Sequence, residues 1–163
     1  MSETWTVEQF RAYQKEGIKP HPKVTTRPRK SALKAADAAF SILMRATEAT
    51  DQGAVRCCTC QKWLSWKGTG NAHWGHWQSR GFNSVRFDPK NGGIQCRVCN
   101  TYLEGRKQDM EAYLIQRYGE GEVNRVRAYA GIQTKISNQE LAEMAAKFRA
   151  EAREIIKQKN LKA

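Results

Sequence analysis

The sequence predicts a small α+β protein, and three observations carry that reading. Residues at helical spacing occupy both ends of the chain, the middle has no helical period, and two Cys-x-x-Cys pairs bracket the middle. A length of 163 residues suits one domain with short appendages. The expected boundaries are 1–30 for an N-terminal helix and basic arm, 31–130 for a core with flanking helices, and 131–163 for a C-terminal amphipathic helix.

Each element follows from a local pattern. Thr6 and Gln9 form a capping box, and Val7, Phe10 and Tyr13 then recur at helical spacing as far as Gly17. Residues 18–30 hold three prolines and five basic groups, a composition that reads as an extended arm. From Ser31 a second helix places Leu33, Ala36, Phe40, Leu43 and Met44 on one face and should stop near Asp51-Gln52-Gly53. Residues 54–95 carry six glycines and four of the five tryptophans, including Trp74 and Trp77, and predict short strands and turns. Helical character returns from Cys96 to Leu103 and from Gln108 to Tyr118, with Met110, Tyr113 and Leu114 inward. It returns again around Val123, Val126 and Tyr129. The last helix is capped by Ser137 and Glu140, and Leu141, Met144, Ala145, Phe148, Ala152 and Ile155 form its apolar stripe. That stripe suits either a homodimer interface or packing on the core. The lysines from 157 onward read as a solvated end.

Charge narrows the function. The chain carries +12, and fifteen basic against five acidic side chains between residues 23 and 107 supply most of it. Such a field attracts polyanions, of which nucleic acid is the commonest inside cells. No apolar run approaches a membrane span, and the N-terminus has no signal-peptide pattern, so an intracellular, cytoplasmic protein with no membrane partner is expected.

The cysteines point to a metal. Cys57-x-x-Cys60 and Cys96-x-x-Cys99 have the spacing that lets two tight turns bring four thiolates to one tetrahedral ion, zinc fitting best. Cys58 is left over. Between the pairs stand His73, His76 and Asn91; Asn100 and Glu104 follow the second pair. On a strand, His73 and His76 should point to opposite faces. On a helix, Asn100 and Glu104 should share one.

The run GHWQSRGFNSVRFDPKNGGIQCRVCN, with Cys57-x-x-Cys60 upstream, resembles the phage NinG (Rap) recombination proteins over roughly residues 31–130. More distantly it is similar to phage endonuclease VII, which sets a zinc-bound double CxxC around a His-Asn centre. The resemblance implies a zinc-stapled ββα-metal (HNH-like) core flanked by N- and C-terminal helices. It also implies a structure-specific DNA endonuclease of phage recombination, acting on branched DNA such as Holliday junctions, D-loops and forks in the bacterial host cytoplasm. The alternative is a non-catalytic zinc-dependent DNA-binding or recruitment protein that works with other recombination proteins. The sequence departs from the family pattern at His73, where relatives often have an acid, and at Gly93, where some have a histidine.

Carried over position by position, the catalytic set is His76 as general base, Asn91 holding the loop, and Asn100 as oxygen ligand to a divalent ion, Mg²⁺ or Mn²⁺. His73 or Glu104 would be the second ligand to that ion. Cys57, Cys60, Cys96 and Cys99 would hold structural Zn²⁺. Arg80, Arg86, Lys90 and Arg97 would fix the DNA backbone, while Lys23, Arg27, Arg29 and Lys30 follow a second duplex arm. Trp74 and Trp77 either wedge at a branch or pack against the knuckles.

Overall fold

The computed structural model describes residues 29–67 and 72–161. The expected helix before Gly17 and the arm residues Lys23 and Arg27 lie outside the described residues. Helix α1 (Arg29–Glu48) is followed by two short strands, β1 (Ala54–Arg56) and β2 (Trp63–Ser65). Then come β3 (Ala72–His76), a 3₁₀ turn (Pro89–Asn91) and β4 (Gly92–Cys96). A π-helical turn (Val98–Tyr102) leads to helices α2 (Lys107–Tyr118), α3 (Glu120–Ala130) and α4 (Asn138–Gln158). The strands form two separate antiparallel pairs, β1 with β2 and β3 with β4.

The helix predicted from Ser31 begins two residues earlier, so Arg29 and Lys30 belong to its first turn rather than to an extended arm. Its inward face is built largely of alanine, with Phe40 at the centre. The Phe40 ring meets Trp74 of β3 edge-on at 5.8 Å, Phe87 at 5.7 Å and Phe148 of α4 at 5.1 Å. One side chain thereby joins helix, strand, loop and terminal helix, in the offset geometries that aromatic quadrupoles favour. The stripe of α4 is spent on this core: Leu141, Met144, Ala145, Phe148 and Ala152 are all buried. The predicted capping box is present, Ser137 Oγ accepting from the Glu140 amide and the Glu140 carboxylate accepting from the Ser137 amide. Lys159 is not a solvated end. Its ammonium donates to the carbonyls of Ala46, Thr47 and Ala49 and so satisfies the C-terminus of α1.

A second core lies under α2 and α3, where Met110, Leu114, Val123 and Val126 surround Trp77, Val85 and Cys58. The spare cysteine packs there as a small hydrophobe, its Sγ 3.6 Å from the Met110 sulfur. The β3–β4 hairpin pairs Ala72 with Cys96 at one end and His76 with Gly92 at the other. Its backbones approach closely: a Cβ at Gly92 would lie 2.1 Å from the Gly75 carbonyl oxygen. The stretch expected to be helical from Cys96 is instead the end of β4 plus the single π-helical turn. No helix among the described residues is long and apolar enough to cross a membrane.

Candidate functional site

Four thiols converge where the first knuckle meets β4. The Sγ atoms of Cys57, Cys60, Cys96 and Cys99 all lie within 4.8 Å of one another, with Cys60 and Cys96 at 3.8 Å. A tetrahedral ion with metal–sulfur bonds of ~2.3 Å needs sulfur–sulfur edges of about 3.8 Å, so the set can hold a metal such as zinc. Burial alone would raise the Cys57 thiol, but hydrogen bonds from the Thr59 hydroxyl and from the backbone at Cys60, Cys96 and Thr59 bring it down to about 6. The shifts across the set run both ways: Cys60 is raised to about 12 despite a backbone hydrogen bond at Lys62, and burial raises Cys96, so one thiol ionises readily and those two need a cation to do so. The Cys99 amide also points at Cys96 Sγ, at 3.4 Å.

On the other side of the hairpin a cleft of about 1210 Å³ opens between α1 and β3. Lys30, Lys34, Arg45, Arg80, Arg86 and Lys107 line it, with Asp37 the one carboxylate among its lining residues. His73, His76 and Asn100 all face this cleft. Strand alternation would have put the histidines on opposite faces. His76, however, is the last residue of β3, and its ring turns to the following loop, where Nε2 donates to the Arg86 carbonyl at 2.8 Å. His73 Nδ1 lies 3.0 Å from the Asn100 amide nitrogen, so the turn after the second knuckle closes onto the strand. Burial is the main reason that both rings hold their protons weakly. The positive charges of Arg45 and Arg97 add to the effect at His73, and His76 falls to about 4.

Asn91 is fully buried and clamps the loop after His76. Its Oδ1 accepts from the Gln78 amide at 2.7 Å, and its Nδ2 donates to the carbonyls of Gln78 and Val85. Lys107, at the start of α2, donates to the His76 and Trp77 carbonyls from the opposite side.

Other predicted residues sit differently. Glu104 does not share a face with Asn100, because the turn ends at Tyr102 and Glu104 takes a left-handed φ of 51°. It is exposed and does not line the cleft. Arg86 is not a free phosphate contact: its guanidinium forks onto Asp37 and its side chain is 12% exposed. Lys90 is likewise engaged, with Glu122 at 2.9 Å and the Tyr118 ring. Arg80 is 63% exposed, and Arg97 is exposed with its guanidinium over Tyr102. Trp74 and Trp77 are buried in the two cores, which removes both as wedges. A Cβ at Gly93 would lie 2.9 Å from Cys58 Sγ and from the Tyr113 ring, so a side chain there would force its neighbours to shift.

With the geometry in place, comparison assigns a family. The family described as bacteriophage Lambda NinG protein matches residues 6–159. This chain belongs to that family. It is therefore a phage recombination-related protein. No curated protein and no solved structure matches it significantly. In this NinG-family chain the cleft residues that sequence reasoning missed are Lys34, Asp37, Arg45 and Lys107. A signal for three of them exists: Lys30, Lys34, Asp37, Ser41 and Arg45 recur at three- and four-residue intervals, the polar stripe of α1 opposite its buried alanines.

Proposed function

We propose that this NinG-family chain is a structure-specific DNA endonuclease that hydrolyses phosphodiester bonds at branched DNA, with His76 as general base. One observation carries the reading. A carbonyl oxygen only accepts, so the bond to Arg86 places the ring proton on Nε2 and leaves the lone pair on Nδ1. A neutral, oriented imidazole in a cationic cleft is suited to take a proton from water attacking a phosphodiester. A value near 4 makes it a weak base in the free protein; the negative charge of a bound phosphodiester would raise it.

The donor set also suits a sparsely held divalent cation. His73 and Asn100 converge in the cleft, and Mg²⁺ keeps most of its waters, whereas an imidazole ligand favours Mn²⁺. These two residues would hold the ion, which when bound supplies neutralisation of the charge that develops at phosphorus and on the leaving oxygen. Asn91 and Lys107 hold the backbone on which His76 is presented. Lys30, Lys34, Arg80 and Arg97 offer phosphate contacts that position a duplex without reading its sequence. Symmetrical cutting of a four-way junction would need a second copy, joined through a surface other than the occupied stripe of α4.

The test compares wild type with His76→Ala on forked, looped and four-way substrates in Mg²⁺ or Mn²⁺. The variant should keep its zinc and lose about 100-fold or more of the cutting rate. Equal cutting by both proteins refutes the role of His76. Tight binding by a wild type that cuts nothing refutes the nuclease and leaves a DNA-binding protein.

A further inference from the structure

Asp37 has no role in the reading above, yet it sits at the centre of the cleft. It projects from α1 and is 17% exposed. Arg86 Nε donates to its Oδ1 at 2.8 Å, and an Arg86 terminal nitrogen donates to Oδ2 at 2.5 Å, the paired geometry a guanidinium makes with a carboxylate. The other terminal nitrogen of Arg86 donates to the Arg80 carbonyl, and the Arg80 guanidinium itself lies 3.8 Å from Asp37. One carboxylate on the helix therefore gathers both arginines of the loop that follows β3.

Arg86 is engaged twice. Its side chain faces Asp37, and its carbonyl receives the Nε2 proton of His76. The other ties of this loop act on different residues: Asn91 on Gln78 and Val85, Ser84 on the Tyr129 carbonyl, and Asn83 on the Thr134 carbonyl. A shielded ion pair contributes little net stability relative to an apolar pair of similar shape, and removing one partner leaves the other stranded. The pair is better explained by what it places than by what it stabilises.

We propose that Asp37 is a positioning residue for His76: by anchoring the Arg86 side chain to α1, it holds the Arg86 carbonyl on Nε2 and so keeps the ring proton there and the lone pair on Nδ1. The catalytic meaning of this arrangement rests on the nuclease reading, but the arrangement itself can be tested without DNA.

The experiment is proton and nitrogen NMR of the full-length, zinc-bearing protein, following the His76 Nε2 proton, assigned by its absence in His76→Gln. In wild type the proton is hydrogen-bonded and should exchange slowly with water. In Asp37→Ala, with zinc content and helical signal unchanged, exchange should be about 10-fold faster or the resonance lost. Should Asp37→Ala fold poorly, the isosteric Asp37→Asn, which keeps the shape and loses the charge, should show the same change to a smaller degree. Unchanged exchange in the folded variant overturns the proposal and leaves the nuclease reading standing. Freed exchange in a protein whose wild type cuts no DNA upholds the positioning role and overturns the nuclease.

Discussion

The thiol cluster and the histidine cleft share one hairpin but are assembled in opposite ways. Each pair of sulfurs comes from a four-residue turn, so local spacing does most of the work, and one closure, β4 against the first knuckle, completes the set. The cleft takes Asp37 from α1, His73 and His76 from β3, Arg86 from the loop and Asn100 from the π-helical turn. The difference teaches that a thiol set able to hold a metal can be prefabricated by sequence, while a cationic cleft drawn from several elements has to be gathered.

The strongest test of this contrast is to break the prefabricated half. Cys96→Ser should release the metal and unfold both hairpins, because the apparent binding energy of structural zinc, roughly 10–16 kcal/mol, is also folding energy. Metal analysis with circular dichroism would detect it, and a folded, metal-free variant would refute the interdependence. The gathered half should fail more gently. Asn91→Ala removes one buried and two part-buried hydrogen bonds and strands their partners at Gln78 and Val85, costing about 4 kcal/mol in denaturant unfolding. A loss under about 1 kcal/mol would mean that water replaces the amide. The smallest effect is the one tied to pH. His76 titrates near 4 in the folded chain against an ordinary 6.5, so the unfolded chain binds the proton first as pH falls. Stability from this group is therefore full above 6.5, is lost progressively between 6.5 and 4, and changes no further below. The total is about 3 kcal/mol. Denaturant midpoints across that window should slope less in His76→Gln than in wild type.

How much was legible follows the same divide. The Ser137–Glu140 cap, the helices around Met110 and Val126 and the two Cys-x-x-Cys turns are set by neighbours in sequence, and each lies where its pattern puts it. The errors fall where a distant partner decides. Arg86 looked available for phosphate because nothing nearby claims it; its carboxylate lies 49 residues away, on α1. For Trp74 and Trp77 the sequence leaves wedging and packing open, and distant partners decide for packing: Phe40 meets Trp74, and the α2–α3 pair buries Trp77. Regular helix after Cys96 would put Glu104 on the face of Asn100, and the wider π-helical turn, followed by left-handed backbone at Glu104, carries it off that face.

The packing of α4 on α1 also gives the cleft a support that is remote from it in sequence. Helix α1 supplies the Lys30–Arg45 wall of the cleft, while its alanine and Phe40 face packs on α4 and its carbonyl end receives the Lys159 ammonium. Both knuckles and both histidines precede α4 in the chain, yet the wall that faces the histidines is seated by α4. The cationic cleft therefore stands on a helix that contributes none of its lining residues.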